Sequence, residues 1–277
     1  MVIARGRFRE PQPTREVAVV VPLSSRPELS ADEEISLRHL RHYLGGYDKF
    51  MLAPKGMPVD QPGFEVLRFG REFFGSADAQ TRLWMRADFY ERFRDYRYIL
   101  TYHTDAIVLS DRLREWCAAD YDFIGAPNVS DGPTPVVMLN GGFALRKVSS
   151  FLKVLYSDVY AVDPDAYWQA FARDRSALSR LVNAPRKYLK RLRYFNNVRR
   201  DIAIFVSESH LYEDIWFHHT APKYYPGFRL PSEDVARRFS FDMTPRLWFE
   251  MTNRELPFGA HAWYKRDRAF WEPYLLS

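Results

Sequence analysis

Tyr98-Ile-Leu-Thr-Tyr102, followed at once by His103-Thr-Asp-Ala106, is the stretch on which the reading of this chain turns. The first five residues are apolar, aromatic or β-branched and read as a buried strand. The strand then runs out into a polar turn that carries a carboxylate. Upstream, Ala77 to Tyr96 reads as a helix with Leu83, Phe89 and Phe93 among its apolar positions. Lys49 to Ala53 and Phe64 to Phe69 read as two short strands. Ser30-Ala-Asp-Glu33 has the form of a capping box, in which Ser30 and Glu33 satisfy each other's free N–H groups. Leu37, Leu40 and Leu44 continue at helical spacing, and Gly45-Gly46 ends the helix. Furthest upstream, Val17-Ala-Val-Val-Val21 is an almost wholly β-branched run, suited to a strand covered on both faces. Strand, helix and strand in repeated order predict an α/β fold with a mostly parallel sheet, in one large domain. Ligands of such sheets sit beyond the carboxyl ends of the strands. His103 to Ala106 falls at that kind of position.

Downstream, Val136 to Leu145 reads as a strand running through Asn140-Gly-Gly-Phe143, and Ser149 to Tyr156 as a helix. Residues 163 to 200 read as helical and turn strongly basic, with no Asp or Glu from 175 to 200. Ser207 to Phe217 reads as a helix carrying Glu213-Asp214. Residues 1–15, basic and Pro-containing, read as a flexible arm. Residues 16–277 are expected to form the domain, with a basic helical insertion at about 163–205.

Composition narrows the classes. Of 277 residues, 47% are hydrophobic and 27% charged, which excludes a disordered chain, a collagen and a simple coiled coil. Forty Lys and Arg against 35 Asp and Glu leave a net charge of +5, too little to argue for nucleic acid as a partner. The lone Cys117 excludes an internal disulfide and a cysteine-based zinc cluster. The longest apolar run is far shorter than the roughly 20 residues of a membrane span, and the N-terminus lacks an apolar leader core. A cytoplasmic protein is the resulting expectation. Aromatics are abundant at 16%, and suit either a cleft that stacks on sugar faces or a filled core.

Four places could carry chemistry. His103 and Asp105, two residues apart in extended backbone, can face one side and hold a divalent ion; the plainer reading has Asp105 capping a turn. Asn140-Gly141-Gly142 suggests a bulge or a close approach of backbone to ligand, or equally a hairpin turn. Glu213-Asp214 could set a general base in a cleft, or simply place acids in a helix's first turn. His261, in Phe258-Gly-Ala-His-Ala-Trp263, could be a ligand or a hydrogen-bonded core histidine. His218 and His219 are adjacent and do not read as a metal pair.

Taken in order, these segments resemble a family. Val17-Ala-Val-Val-Val-Pro22, Glu91-Arg-Phe93 with Asp95-Tyr-Arg-Tyr-Ile-Leu100, Asp105-Ala106, Tyr121-Asp-Phe-Ile-Gly-Ala-Pro127, Asn140-Gly-Gly-Phe-Ala-Leu-Arg-Lys147, Glu213-Asp-Ile-Trp-Phe217 and Leu256-Pro-Phe-Gly-Ala-His-Ala-Trp263 are similar to motifs of GT-A-type glycosyltransferases. More narrowly, they resemble an uncharacterised bacterial and fungal glycosyltransferase-like group. The resemblance implies a GT-A-like (Rossmann-like) α/β fold, with a mixed, mostly parallel central sheet flanked by helices in a single domain. It implies transfer of a sugar from a UDP-linked or other nucleotide-diphosphate sugar to a glycan, lipid-linked or protein hydroxyl, with inversion. It implies that His103-Thr104-Asp105 stands where the family has D-x-D, with His in place of the first acid. It further implies a manganese or magnesium ion on Asp105 and His261, and Asp214 as general base beside Glu213. The nucleotide-sugar positions it implies are Pro22, Leu23, His103, Thr104, Asp105, Asn140, Gly141 and Gly142. Arg82 is a candidate for neutralising the diphosphate. Polysaccharide biosynthesis would be the setting.

Two other readings stand beside it. A nucleotidyltransferase would need a Gly-rich loop after the first strand, and Leu23-Ser-Ser-Arg-Pro27 has no glycine. A non-catalytic carbohydrate- or polyanion-binding module would use the basic segment and the aromatics. Within that segment Leu189, Leu192, Phe195 and Ile202 are spaced roughly as one helical face. Residues 180–202 could therefore dock peripherally on an anionic membrane, at the inner face of a cell, or pack on the domain by their apolar side.

Overall fold

The computed structural model describes residues 8–129, 137–208 and 211–276. In chain order the elements are β1 (Arg15–Pro22), α1 (Ala31–Leu44), β2 (Asp48–Pro54), β3 (Glu65–Phe69), α2 (Ala77–Trp84), α3 (Ala87–Glu91), β4 (Tyr96–Tyr102), β5 (Ile107–Val108), α4 (Leu113–Ala118), β6 (Phe123–Val129) and β7 (Val137–Lys147). There follow α5 (Val148–Leu155), α6 (Pro164–Ala172), α7 (Ala177–Arg191), α8 (Val198–Glu208), α9 (Glu213–Tyr224), α10 (Glu233–Phe239), β8 (Ser240–Phe241), α11 (Pro245–Met251), β9 (Gly259–Ala260) and α12 (Trp263–Trp271).

The central sheet has six strands in the order β3-β2-β1-β4-β7-β6. β1 pairs in parallel with β2 and β4, and β2 with β3, while β7 runs antiparallel to both β4 and β6. The expected α/β class with a mixed, mostly parallel sheet is what the chain forms. The β-branched run of β1 shows why. Ala18 and Val20 enter one hydrophobic cluster, with Leu52, Phe89 and Phe151. Val17, Val19 and Val21 enter the other, with Leu37, Leu40 and Leu100. Period-two alternation thus sends successive apolar side chains to both faces. The capping box of α1 forms: the Glu33 N–H donates to Ser30 Oγ at 3.3 Å, and the Ser30 N–H to Glu33 Oε2 at 2.7 Å.

Several boundaries differ from the sequence reading. The helix expected over 77–96 breaks at Met85 and Arg86 into α2 and α3. The break brings Trp84 and Phe89 edge to face, ring centroids 4.8 Å apart. On one straight helix, positions five apart point well away from each other. Glu213 opens α9 instead of lying inside a helix from 207. Within the arm expected over 1–15, residues 8–15 are tied to the domain. Phe8 packs on Tyr156, Lys153 pairs with Glu10 at 2.6 Å, and the N–H groups of Thr14 and Arg15 donate to the Asp95 carbonyl. Residues 1–7 of that arm lie outside the described residues, as does Val136 of the expected strand.

The basic segment also departs from expectation. Its helix α7 stops at Arg191, so Leu189, Leu192, Phe195 and Ile202 do not share one helical face. Ile202 packs against the core, whereas Leu189, Leu192 and Phe195 are exposed. The apolar side of α7 does not pack on the domain; it is turned outward.

A second sheet, β5-β9-β8, stands beyond the carboxyl end of β4. Its register pairs Ile107 with Ala260 and Phe241 with Ala260. That brings Asp105, Asp242 and His261 to one place, from three distant parts of the chain.

Candidate functional site

β7 extends past the end of β4, whose last residue, Tyr102, pairs with Phe143. The His103 N–H still donates to the Gly142 carbonyl at 2.9 Å. Asn140-Gly141-Gly142 therefore lies at the ligand edge of the sheet, within a strand and not in a hairpin turn. The register with β6 shifts here, between Gly125 and Pro127. Asn140 Oδ1 accepts the Gly142 N–H at 2.7 Å, so the side chain folds back on the bulge. The two glycines face two charged groups. A Cβ on Gly141 would lie 2.9 Å from Glu213 Oε1 and 3.3 Å from Asp214 Cβ. A Cβ on Gly142 would lie 2.2 Å from His261 Nε2. Only a residue without a side chain fits at either position.

Glu213 and Asp214 are both buried. The Gly141 N–H donates to Asp214 Oδ2 at 2.9 Å, and the Ile215 N–H to Asp214 Oδ1 at 2.8 Å. Arg146, wholly buried, donates from Nη2 to Glu213 Oε1 at 2.8 Å, and from Nη1 to the Tyr90 hydroxyl at 3.2 Å. Thr81 Oγ1 donates to Glu213 Oε2 at 3.1 Å. Glu213 thus holds a matched countercharge, and among the described residues Asp214 accepts from two backbone N–H groups. Burial, and then the neighbouring Glu213 charge, push the Asp214 carboxyl up to about 7. A carboxylate poised there can take a proton near neutrality.

His103, Asp105 and His261 form the second cluster, each offering a ligand atom within 4.8 Å of the others. His261 Nε2 is 3.3 Å from Asp105 Oδ1, and Nδ1 is 3.5 Å from Asp242 Oδ2. Lys265 Nζ donates to Asp105 Oδ2 at 2.7 Å. Burial alone would lower the His261 pKa, but Asp105 and Asp242 outweigh it and raise it to about 10. Burial and the charge of His261 lower His103 to about 3, so its ring is neutral. His103 Nε2 is buried and has no hydrogen-bond partner among the described residues. A neutral imidazole with an unused nitrogen, beside a carboxylate and a second imidazole, fits a divalent ion.

The other sequence candidates fall as follows. Pro22 and Leu23 sit at the carboxyl end of β1, with Leu23 buried in the core. Thr104 turns away from the cluster and donates to Glu33 Oε1 at 2.8 Å, tying the loop to α1. Arg82 is exposed and donates to the Glu72 carbonyl at 2.9 Å; no hydrogen bond or ion pair joins it to either cluster among the described residues. The residue before it, Thr81, is the one that reaches Glu213. Arg146, Asp242, Lys265 and Thr81 were not singled out from sequence. Arg146 had a signal: a guanidinium inside Phe143-Ala-Leu-Arg146 needs a buried partner. Asp242 follows a strand of two residues, too short to show a period.

The family described as "Protein of unknown function (DUF5672)" matches residues 63–261. The chain belongs to that family. In this DUF5672 member the matched span holds both carboxylates, the two glycines and all three residues of the imidazole cluster. No curated protein matches the chain. Among solved structures it is similar to a glycosyltransferase involved in glycosylation of the major capsid of PBCV-1 (9% identity, 89% of this chain and 92% of that one, TM-score 0.45). It is also similar to the galactosyltransferase LgtC in complex with donor and acceptor sugar analogs (12%, 88% and 86%, TM-score 0.44). A third is the apo form of the glycosyltransferase GlyE of Streptococcus pneumoniae TIGR4 (12%, 95% and 61%, TM-score 0.42). At these scores the likenesses have no bearing on what the chain does. Among the described residues no helix is long and apolar enough to cross a membrane.

Proposed function

We propose that the chain is a metal-assisted, inverting glycosyltransferase that uses a nucleoside-diphosphate sugar, UDP-linked in this reading. One observation carries the proposal: Asn140-Gly141-Gly142 has the general-base candidate against one glycine and the ion-binding candidate against the next. The sequence resemblance to GT-A-type enzymes supports the same assignment. The acceptor is a hydroxyl of a glycan, a lipid-linked sugar or a protein.

An acceptor hydroxyl is a weak nucleophile. In this reading Asp214 takes its proton as the oxygen bonds to the sugar's anomeric carbon. The anomeric carbon–phosphate oxygen bond breaks, and the nucleoside diphosphate leaves with the electron pair. The proton stays on Asp214 until solvent removes it. Glu213, neutralised by Arg146, holds the start of α9 so that Asp214 keeps its place on the Gly141 N–H. His103, Asp105 and His261 would hold the divalent ion, with two imidazoles favouring manganese over magnesium. When bound, the ion supplies positive charge to the departing diphosphate. To hold it, His261 would release its proton and Asp105 would exchange Lys265 for the ion. Lys265, whose side chain is more than half exposed, would then be free to pair with the phosphates.

A thermal-shift screen of nucleotide sugars with manganese tests the reading. A donor that raises the melting temperature and then yields free nucleoside diphosphate with an acceptor is the expected result. No shift with any nucleotide or nucleotide sugar, with or without metal, would remove it.

A further inference from the structure

Helix α7 is amphipathic and is mounted the wrong way round for a soluble domain. Leu178, Leu181 and Val182 are 71%, 72% and 70% exposed, and Leu189 and Leu192 are 44% and 52% exposed. Leu178, Leu181, Val182 and Leu189 are spaced to line one side of the helix, and Leu192 is the residue just past its end. The opposite side, with Ser179, Asn183, Lys187 and Lys190, is the less exposed one and is turned toward α6. Lys190 lies over the Tyr167 ring at 5.0 Å and Arg186 over Phe171 at 5.7 Å, and Arg191 pairs with Asp165 at 2.7 Å. The mounting is firm: the buried Asn196 side chain donates to the carbonyls of Val162 and Lys190 and accepts the Val162 N–H. An apolar stripe held outward needs an apolar phase to cover it.

Charge says which. Residues 175 to 200 carry nine Lys or Arg and no Asp or Glu, while the whole chain is only +5. Arg180 and Arg186 are exposed, and the side chains of Arg191 and Arg193 are 51% and 46% exposed. A second copy of this chain would bring two such segments face to face and repel. Tyr194, 75% exposed, and Phe195, 46%, continue the apolar side past the helix end. Apolar residues on one side, cations along the rim and aromatics at the end match a helix lying in the plane of a bilayer interface.

We propose that α7 docks this protein peripherally on an anionic lipid surface, with its leucines in the acyl boundary and its arginines at the level of the phosphates. This does not depend on glycosyl transfer. It places the chain where lipid-borne substrates would be met.

Co-sedimentation of the full chain with vesicles tests it: phosphatidylcholine alone, and phosphatidylcholine mixed with phosphatidylglycerol, at low and high salt. Binding to the mixed vesicles only, weakened by salt, is expected. Leu181→Ser with Leu189→Ser should cut partitioning about tenfold or more for each leucine lost. Arg186→Glu with Arg193→Glu should cut it at least about fivefold for each cation. These residues are exposed, so unchanged melting temperatures will certify the fold. No binding to anionic vesicles at low salt overturns the proposal, as does equal binding by all variants. Sedimentation velocity showing a dimer that the leucine variants dissolve also overturns it, since a second copy would then be the cover.

Discussion

Gly141 and Gly142 are neighbours in β7, yet the regions they face have opposite electrostatics. On the Gly141 side Arg146 pairs with Glu213, and burial, then the Glu213 charge, keeps the Asp214 pKa high. On the Gly142 side His261 lies between Asp105 and Asp242 with Lys265 close by, and the imidazole pKa is raised while that of Asp105 falls well below the usual carboxylate range, against the effect of its burial. In the proposed reaction one region gains a proton, and the other exchanges a proton for a metal ion. A single bulged strand holds both, so a change at either glycine should disturb one region and spare the other.

The largest expected effect is on the first region. Asp214→Asn keeps one acceptor oxygen for the Gly141 or the Ile215 N–H and should lose about 10²–10⁴-fold in turnover, measured as nucleoside diphosphate release. Full turnover in that variant would take Asp214 out of the reaction. Next comes Arg146→Met, which leaves Glu213 buried without its countercharge. A loss of about 3–5 kcal/mol in urea denaturation is expected. A loss below about 1 kcal/mol would mean that water reaches Glu213 and that the contrast between the regions is weaker than drawn. Gly142→Ala should act on the second region alone, since the new methyl displaces His261. Manganese affinity should drop about 10–100-fold, with Asp214-dependent proton uptake retained. An unchanged affinity would show that His261 is not a ligand.

The smallest effect is on stability, and its sign is informative. The Asp214 pKa lies above its unfolded value near 4, so the folded state favours the protonated form. Stability is then lost as pH rises from the unfolded pKa through about 7. Relative to the native chain, Asp214→Asn, which cannot ionise, should therefore gain stability as pH rises from about 4 through about 7, starting in acid from a deficit of about 1–3 kcal/mol for the N–H that its amide leaves unpaired. For the same reason kcat/KM of the native chain should rise with pH and level off above about 7. An acid limb centred near 4 would contradict the raised pKa.

Much of the fold could be read from β1 and the strand before His103, because apolar side chains alternating between two faces leave a plain pattern. The site was legible where a motif was local: Asn140-Gly-Gly142 and Glu213-Asp214 stand out on their own. The contacts that complete it were not. Asp242, Lys265 and Thr81 reach their partners through the short β5-β9-β8 register and the position of α2, and no sequence spacing encodes either. The outward mounting of α7 was invisible for a different reason. Periodicity shows that a helix has an apolar side, but only the ties through Asn196 and Asp165 show which way it points.

The central claim is that the two regions serve one reaction, and calorimetry of manganese and a nucleoside diphosphate tests it most directly. The account predicts manganese-dependent nucleotide binding that Asp105→Ala abolishes and Asp214→Asn leaves intact, with turnover lost in both. Nucleotide binding that ignores manganese and survives Asp105→Ala would contradict it.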